Sequence, residues 1–222
     1  MWEDCPGEYD FARPHDHLGE HINEYLPKGD AGKPYLDMME KSYCILNTHE
    51  INLRRAAAGL KKANSIWLWS PGGKPNLPDF KSKTGYDGEV IAAVDLIKGI
   101  GKCAGISVAD VPGATGNFRT DYAAKGKAAV KAFESGKNFV YVHVEAPDEC
   151  GHRGEADNKV RSIEMIDERI IKPVYDYLNA TGEEFRIIVL PDHPTPVALR
   201  THTSERRFLC GNSGGYCKTD RF

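Results

Sequence analysis

No stretch of this sequence approaches the ~20 consecutive apolar residues that a membrane-spanning helix needs, so no transmembrane segment is predicted. Positive charge is not in excess either. The 29 Lys and Arg stand against 32 Asp and Glu, and a net charge of -3 excludes the broad basic field that holds nucleic acid nonspecifically. The opening "MWEDCPGEYDF" is acidic and has no apolar centre, so it does not read as a signal peptide. The six cysteines form no C-x-x-C pair. Without an export signal, that usage predicts reduced thiols and a cytoplasmic chain. No internal repeat and no low-complexity tract occurs. What is present, 41% hydrophobic and 27% charged residues over 222 positions, suffices for a packed core. The length allows one large domain, or one domain and a fragment of another.

Residues 1 to about 62 read as helices and loops. "HDHLGEHINEYL" carries Leu18, Ile22, Tyr25 and Leu26 at helical spacing, and "KPYLDMMEKSYCIL" and "HEINLRRAAAGL" continue that pattern. The pattern then changes. "SIWLW" is a short apolar strand candidate stopped by the breaker-rich "SPGGKPNLP". "EVIAAVDLIKGIGKCAGI" reads as a strand, a short helix, and a new strand from near Ile106. "TDYAAKGKAAVKAFESG" reads as a helix with Thr120 as N-cap and Gly136 as stop. "NFVYVHVEA" and "EFRIIVLPDH" read as buried strands. Between them, "NKVRSIEMIDERIIKPVYDYL" predicts one long amphipathic helix with Val160, Ile163, Ile166, Ile170 and Val174 on its apolar stripe. Strands alternating with helices predict an α/β fold, a mostly parallel sheet with helices on both faces.

Both buried strands end in titratable groups. The first runs out through Pro147 into Asp148, Glu149, Gly151 and His152. The second runs out through Pro191 into Asp192 and His193, and "RTHTSE" with His202 follows nine residues later. Ligands of open α/β sheets bind outside the carboxyl ends of the strands. If the two strands are parallel neighbours, these groups converge on one rim. A lone Asp or His in a loop is more often a cap or a surface group than a ligand, and the constellation is what argues for metal. Carboxylate oxygen with imidazole nitrogen suits Mn²⁺ and Zn²⁺ and tolerates Mg²⁺ less well. Gly151 is read as giving the turn freedom to aim Asp148 and His152 inward. Cys150 lies inside the motif as a possible thiolate, but the oxygen and nitrogen donors suffice without it. Glu145 and Glu149 either orient the ligand histidines or stand in solvent.

"VYVHVEAPDECGHRGE", "LPDHPTPVALRTHTSE", and "AVDLIKGIGKCAG" with "VPGATG" resemble the archaeal-type 2,3-bisphosphoglycerate-independent phosphoglycerate mutases. These belong to the alkaline phosphatase superfamily of metalloenzymes, and the group includes proposed homoserine kinases. The resemblance runs from about residue 12 to about residue 205, and "ARPHDHLGEHINEYLP" resembles part of the family's inserted domain. It implies that residues 1–62 are a partial inserted substrate or lid domain. Residues 63–205 would be the C-terminal part of a metal-binding, phosphatase-like domain, and 206–222 an atypical tail. It also implies that Asp148, His152 and His202 bind one metal ion and that Asp192 and His193 bind a second. Lys98 becomes a substrate phosphate contact, set against a plain solvated helix lysine. His15 and Asp16 would face substrate, although helix capping explains Asp16 as well. Mn²⁺ or Zn²⁺ is the expected cofactor, with Mg²⁺ and Co²⁺ open, and no 2,3-bisphosphoglycerate is required. The implied reaction interconverts 2- and 3-phosphoglycerate through a phosphoenzyme, with the ions clamping attacking and leaving oxygens.

The sequence departs from the family twice. The family's first strand, ending in an Asp, and its later nucleophilic Ser or Thr have no counterpart, so the resemblance covers a C-terminal portion that lacks the nucleophile. After "RTHTSE" the chain reads "RRFLCGNSGGYCKTDRF", unlike the family's apolar strand. The alternatives are another phosphoryl-transfer enzyme of the superfamily, such as a homoserine kinase or phosphohydrolase, or a metal-binding fragment without catalysis.

Overall fold

The computed structural model describes residues 9–17, 19–73, 75–204, 210–213 and 217–218. Of the C-terminal tail, the backbone of two short strands falls within them. Contacts divide the chain into two units, Met1–Lys74 and Pro75–Phe222.

The first unit holds two short 3₁₀ turns, Pro14–His17 and Ile22–Glu24, then helices α1 (Gly29–Thr48) and α2 (Glu50–Ala57). The spacing of "HDHLGEHINEYL" is thus realised as two 3₁₀ turns rather than one helix. The corner between α1 and α2 is held by buried Asn52, whose amide donates to the carbonyls of Leu46 and Ala63 and accepts from the Ala63 N–H. Tyr9, Phe11 and Tyr35 pack ring against ring at 4.9–5.8 Å. "SIWLW" is neither strand nor helix. Its groups bond out to side chains and distant carbonyls: the Ile66 N–H donates to Ser42 Oγ, and Trp67 Nε1 donates to the Ala12 carbonyl. An apolar run alone does not supply a ladder partner.

The second unit is helices packed on a parallel sheet. After α3 (Phe80–Thr84), strand β1 (Gly88–Ile91) leads into α4 (Asp95–Cys103) and β2 (Ser107–Val108). Helix α5 (Tyr122–Glu134) then leads into β3 (Phe139–Val142). The order is β2-β1-β3, all parallel, with Val90 opposite Val108 and Ile91 opposite Val142. The central strand is therefore β1, whose Val90 and Ile91 are buried with the following Ala92. β3, expected to be buried, stands at the sheet edge among the described residues, and its Tyr141 is 44% exposed. Helix α5 is capped by Asp121, which accepts from the Ala124 N–H, and not by Thr120, whose hydroxyl accepts from the Thr115 N–H.

Helix α6 (Ala146–Arg153) follows β3, and then α7 (Ala156–Ile166) runs through a π turn, Asp167–Ile171, into α8 (Lys172–Thr181). The single helix expected over this stretch is widened by one turn just before Pro173. Proline has no N–H to return to the carbonyl four residues back, Arg169, and a wide turn absorbs the mismatch. That carbonyl sits against α5, where a Cβ on Gly126 would lie 2.2 Å from it. The predicted stripe divides. Ile170 is buried with Tyr122 and Ala146, and Ile166 packs on that core, but Val160 and Ile163 are more than half exposed.

Strand β4 (Arg186–Val189) pairs antiparallel with β5 (Cys210–Ser213), which pairs antiparallel with β6 (Cys217–Lys218). It is thus not a parallel neighbour of β3, and Ile188 is 68% exposed. No described helix is long and apolar enough to cross a membrane.

Candidate metal centre

The segment read as a turn after β3 is helix α6. Its start follows from Pro147 in the first turn, where a missing N–H costs nothing. Its end follows from Gly154 at φ 73°. Asp148 and His152, four apart, therefore share one helix face. Gly151 serves a different purpose from the one expected: a Cβ there would lie 2.4 Å from the Thr195 carbonyl oxygen. The glycine lets the segment after β4 press against α6.

That segment folds on itself. The Arg200 N–H donates to the Pro196 carbonyl, and the Thr203 N–H to the Pro194 carbonyl. Arg200 takes a left-handed conformation at φ 55°, uncommon for a residue with a side chain. Its carbonyl accepts a hydrogen bond from His152 Nδ1 at 2.9 Å. A carbonyl can only accept, so this bond places a proton on Nδ1. In the neutral ring, Nε2 then carries the lone pair. It faces His202 Nε2 at 3.0 Å. The Asp148 carboxylate lies 3.4 Å from each of these nitrogens, through Oδ2 to His152 and Oδ1 to His202. One ligand atom from each of the three groups falls within 4.8 Å of the others. The rim convergence expected from parallel strands thus occurs by another route, a helix after β3 and a loop after β4.

His193 joins the group. Its ring centroid lies 3.7 Å from that of His202, and its Nδ1 lies 3.9 Å from Asp148 Oδ1. Asp192 is mostly exposed, with Oδ2 3.4 Å from His193 Nε2. Asp192 and His193 therefore flank the three-group cluster. Lys98, on α4, is half-buried, and its charge reaches Lys125. The backbone of His15 and Asp16 forms the turn Pro14–His17, and their side chains lie outside those described. Cys150 is wholly buried against Ser162 in the α6–α7 packing and offers no ligand.

Sequence reasoning missed two groups here, Thr195 and Lys125. Thr195, 3% exposed, donates its hydroxyl proton to Asp148 Oδ1 and also lies 3.2 Å from His193 Nδ1. Lys125 is fully buried and donates to the His143 carbonyl. Burial pushes its ammonium below the usual lysine range, while Glu145 pulls it back up. Glu145 is raised by burial and by the charges of Glu149 and Asp148, with Lys125 opposing. The backbone of the "VPGATG" loop closes on it, for a Cβ on Gly116 would lie 2.4 Å from Glu145 Oε2. A threonine in a proline-rich loop held no local signal for Thr195, whose bond to Asp148 spans 47 positions. A lysine inside an ordinary helical pattern held none for Lys125.

Comparison with known proteins agrees with this fold. The 2,3-bisphosphoglycerate-independent phosphoglycerate mutase of Methanothrix thermoacetophila is 48% identical over 192 residues, covering 86% of this chain and 49% of that protein. The protein of the same name from Methanosarcina acetivorans is 44% identical over 202 residues, covering 91% and 51%. A solved protein of Pyrococcus horikoshii superposes with a TM-score of 0.67 at 28% identity, over 85% of this chain and 49% of that one. The chain spans about half the length of the curated relatives it matches. The Metalloenzyme superfamily matches residues 16–207, a span that holds the whole carboxylate–imidazole cluster and the parallel sheet behind it, and the chain belongs to that superfamily.

Proposed function

We propose that this chain carries the metal-binding part of a phosphoglycerate mutase, an isomerase of glycolysis that interconverts 2- and 3-phosphoglycerate without 2,3-bisphosphoglycerate. One observation supports the metal assignment above all: two imidazole Nε2 atoms lie 3.0 Å apart beside a single carboxylate. With Nδ1 of His152 committed to the Arg200 carbonyl, such a meeting is favourable only if one of the two Nε2 atoms donates a proton to the other or a cation is shared. The donor set fits a divalent ion of the Mn²⁺ or Zn²⁺ type. The substrate assignment rests on the names of the relatives.

Asp148, His152 and His202 would hold one ion, and Asp192 with His193 the second. Bound there, divalent ions supply positive charge that acidifies a hydroxyl and neutralises phosphoryl oxygens. Lys98 contributes a cation for the substrate phosphate. In this reading the phosphoryl group passes through a Ser or Thr hydroxyl that this chain does not supply. Thr195 is not that nucleophile, because its hydroxyl is buried and donates to Asp148.

Metal content of the purified chain tests the reading, with Asp148→Ala and His202→Ala alongside. We expect about one tightly held Mn²⁺ or Zn²⁺ per chain, lost in both variants. A folded wild type that takes up no divalent ion, or variants that bind as well as it does, would overturn the metal centre.

A further inference from the structure

We infer that Thr195 is a positioning residue that orients the Asp148 carboxylate and sets the tautomer of His193. This inference rests on the metal-centre reading above. A threonine hydroxyl has one proton and two lone pairs. Asp148 Oδ1, an acceptor only, takes the proton. The remaining contact, 3.2 Å to His193 Nδ1, can then be a hydrogen bond only if the imidazole donates, N–H to the threonine oxygen. His193 must therefore be protonated on Nδ1, which leaves Nε2, on the Asp192 side, as its coordinating nitrogen. One buried hydroxyl thus fixes a ligand oxygen of the first ion and the donor atom of the second.

Its position is fixed independently of either ligand. Lys159 Nζ donates to the Thr195 carbonyl at 2.7 Å, and the same carbonyl is pressed onto Gly151. A hydroxyl anchored in this way restricts the carboxylate before any ion arrives, as carboxylate partners of ligating groups do elsewhere.

The test compares the full chain with Thr195→Val and Thr195→Ser, reading Mn²⁺ affinity and the visible absorption of the Co²⁺-loaded protein. Valine keeps the shape and removes the hydroxyl; serine keeps the hydroxyl. We expect Thr195→Val to bind Mn²⁺ about 10- to 100-fold more weakly, with an altered Co²⁺ spectrum. Thr195→Ser should remain close to wild type in both. Wild-type affinity in Thr195→Val, or equal weakening in both variants, overturns the inference and leaves the metal centre standing. A wild type without affinity for either ion overturns the metal centre, and this inference with it. Long-range ¹H–¹⁵N correlation of the wild-type imidazoles needs no variant. It should find His193 protonated on Nδ1, and a proton on Nε2 instead would overturn the inference even if Thr195→Val failed to fold.

Discussion

Asp87 shows how much a single side chain can organise away from the metal cluster. Lying just before β1, its carboxylate meets Lys137 at 2.6 Å and Lys81 at 2.8 Å. Hydrogen bonds and charge from these two lysines, Lys137 first, hold its pKa down at about 2. A carboxyl whose pKa is depressed on folding stabilises the fold above its unfolded value, near 4, and loses that contribution as pH falls toward the folded value. Wild type should therefore outlast Asp87→Asn in urea at pH 7. The gap between their midpoints should narrow below about pH 4 and close near pH 2. A gap independent of pH would show that the lysines do not act through this charge. The metal-centre residues differ from Asp87 in how far they could be read in advance. Asp148 and His152 were legible because their spacing suits one face of either a turn or a helix. The roles of Thr195 and Arg200 arise from bonds to residues 47 and 48 positions away, and no local pattern encodes those.

Among the elements, the close approach of α5 to the π turn carries a definite expectation. Alanine is favoured over glycine inside a helix by about 1 kcal/mol. At Gly126 a methyl would sit 2.2 Å from the Arg169 carbonyl oxygen. That obstacle is backbone and cannot rotate away, and overpacking costs about 1–3 kcal/mol. Gly126→Ala should thus be destabilising despite its better propensity. Gly99, inside α4, meets nothing within 4 Å, so Gly99→Ala should stabilise by up to about 1 kcal/mol. Denaturant midpoints of the two variants settle the matter, and a shift of the same sign in both would defeat the steric account. Strand and helix positions in the second unit were largely legible, because β-branched runs alternate with amphipathic ones. Partnership was not. β4 reads like β3 as a string of apolar residues, yet it pairs antiparallel in a separate sheet. Hydrophobicity says that a strand wants neighbours without saying which. The π turn had a visible cause in Pro173, but its width depends on α5 accepting the Arg169 carbonyl.

For the whole molecule, the proposal leads to a sharp separation of binding from turnover. The chain spans about half the length of the curated relatives it matches, and the proposal assigns it no phosphoryl-accepting hydroxyl. The purified 222-residue chain should bind a divalent ion yet fail to interconvert 2- and 3-phosphoglycerate. Phosphorus NMR of a metal-loaded incubation would reveal conversion directly, and sustained turnover would defeat the assignment of the nucleophile.

The pairing of His152 with His202 has a consequence for cohesion. The two nitrogens are 3.0 Å apart in space and 50 residues apart in the chain. An ion bound between them would act as a clasp, tying α6 to the loop beyond β4 much as a disulfide ties distant segments. Closing a loop of that span removes about 4 kcal/mol of unfolded-chain entropy in the simple cross-link treatment. A metal drawn to this place for its chemistry would then also fasten the domain. A chelator would be felt as a fall in melting temperature even in a chain with no reaction to lose.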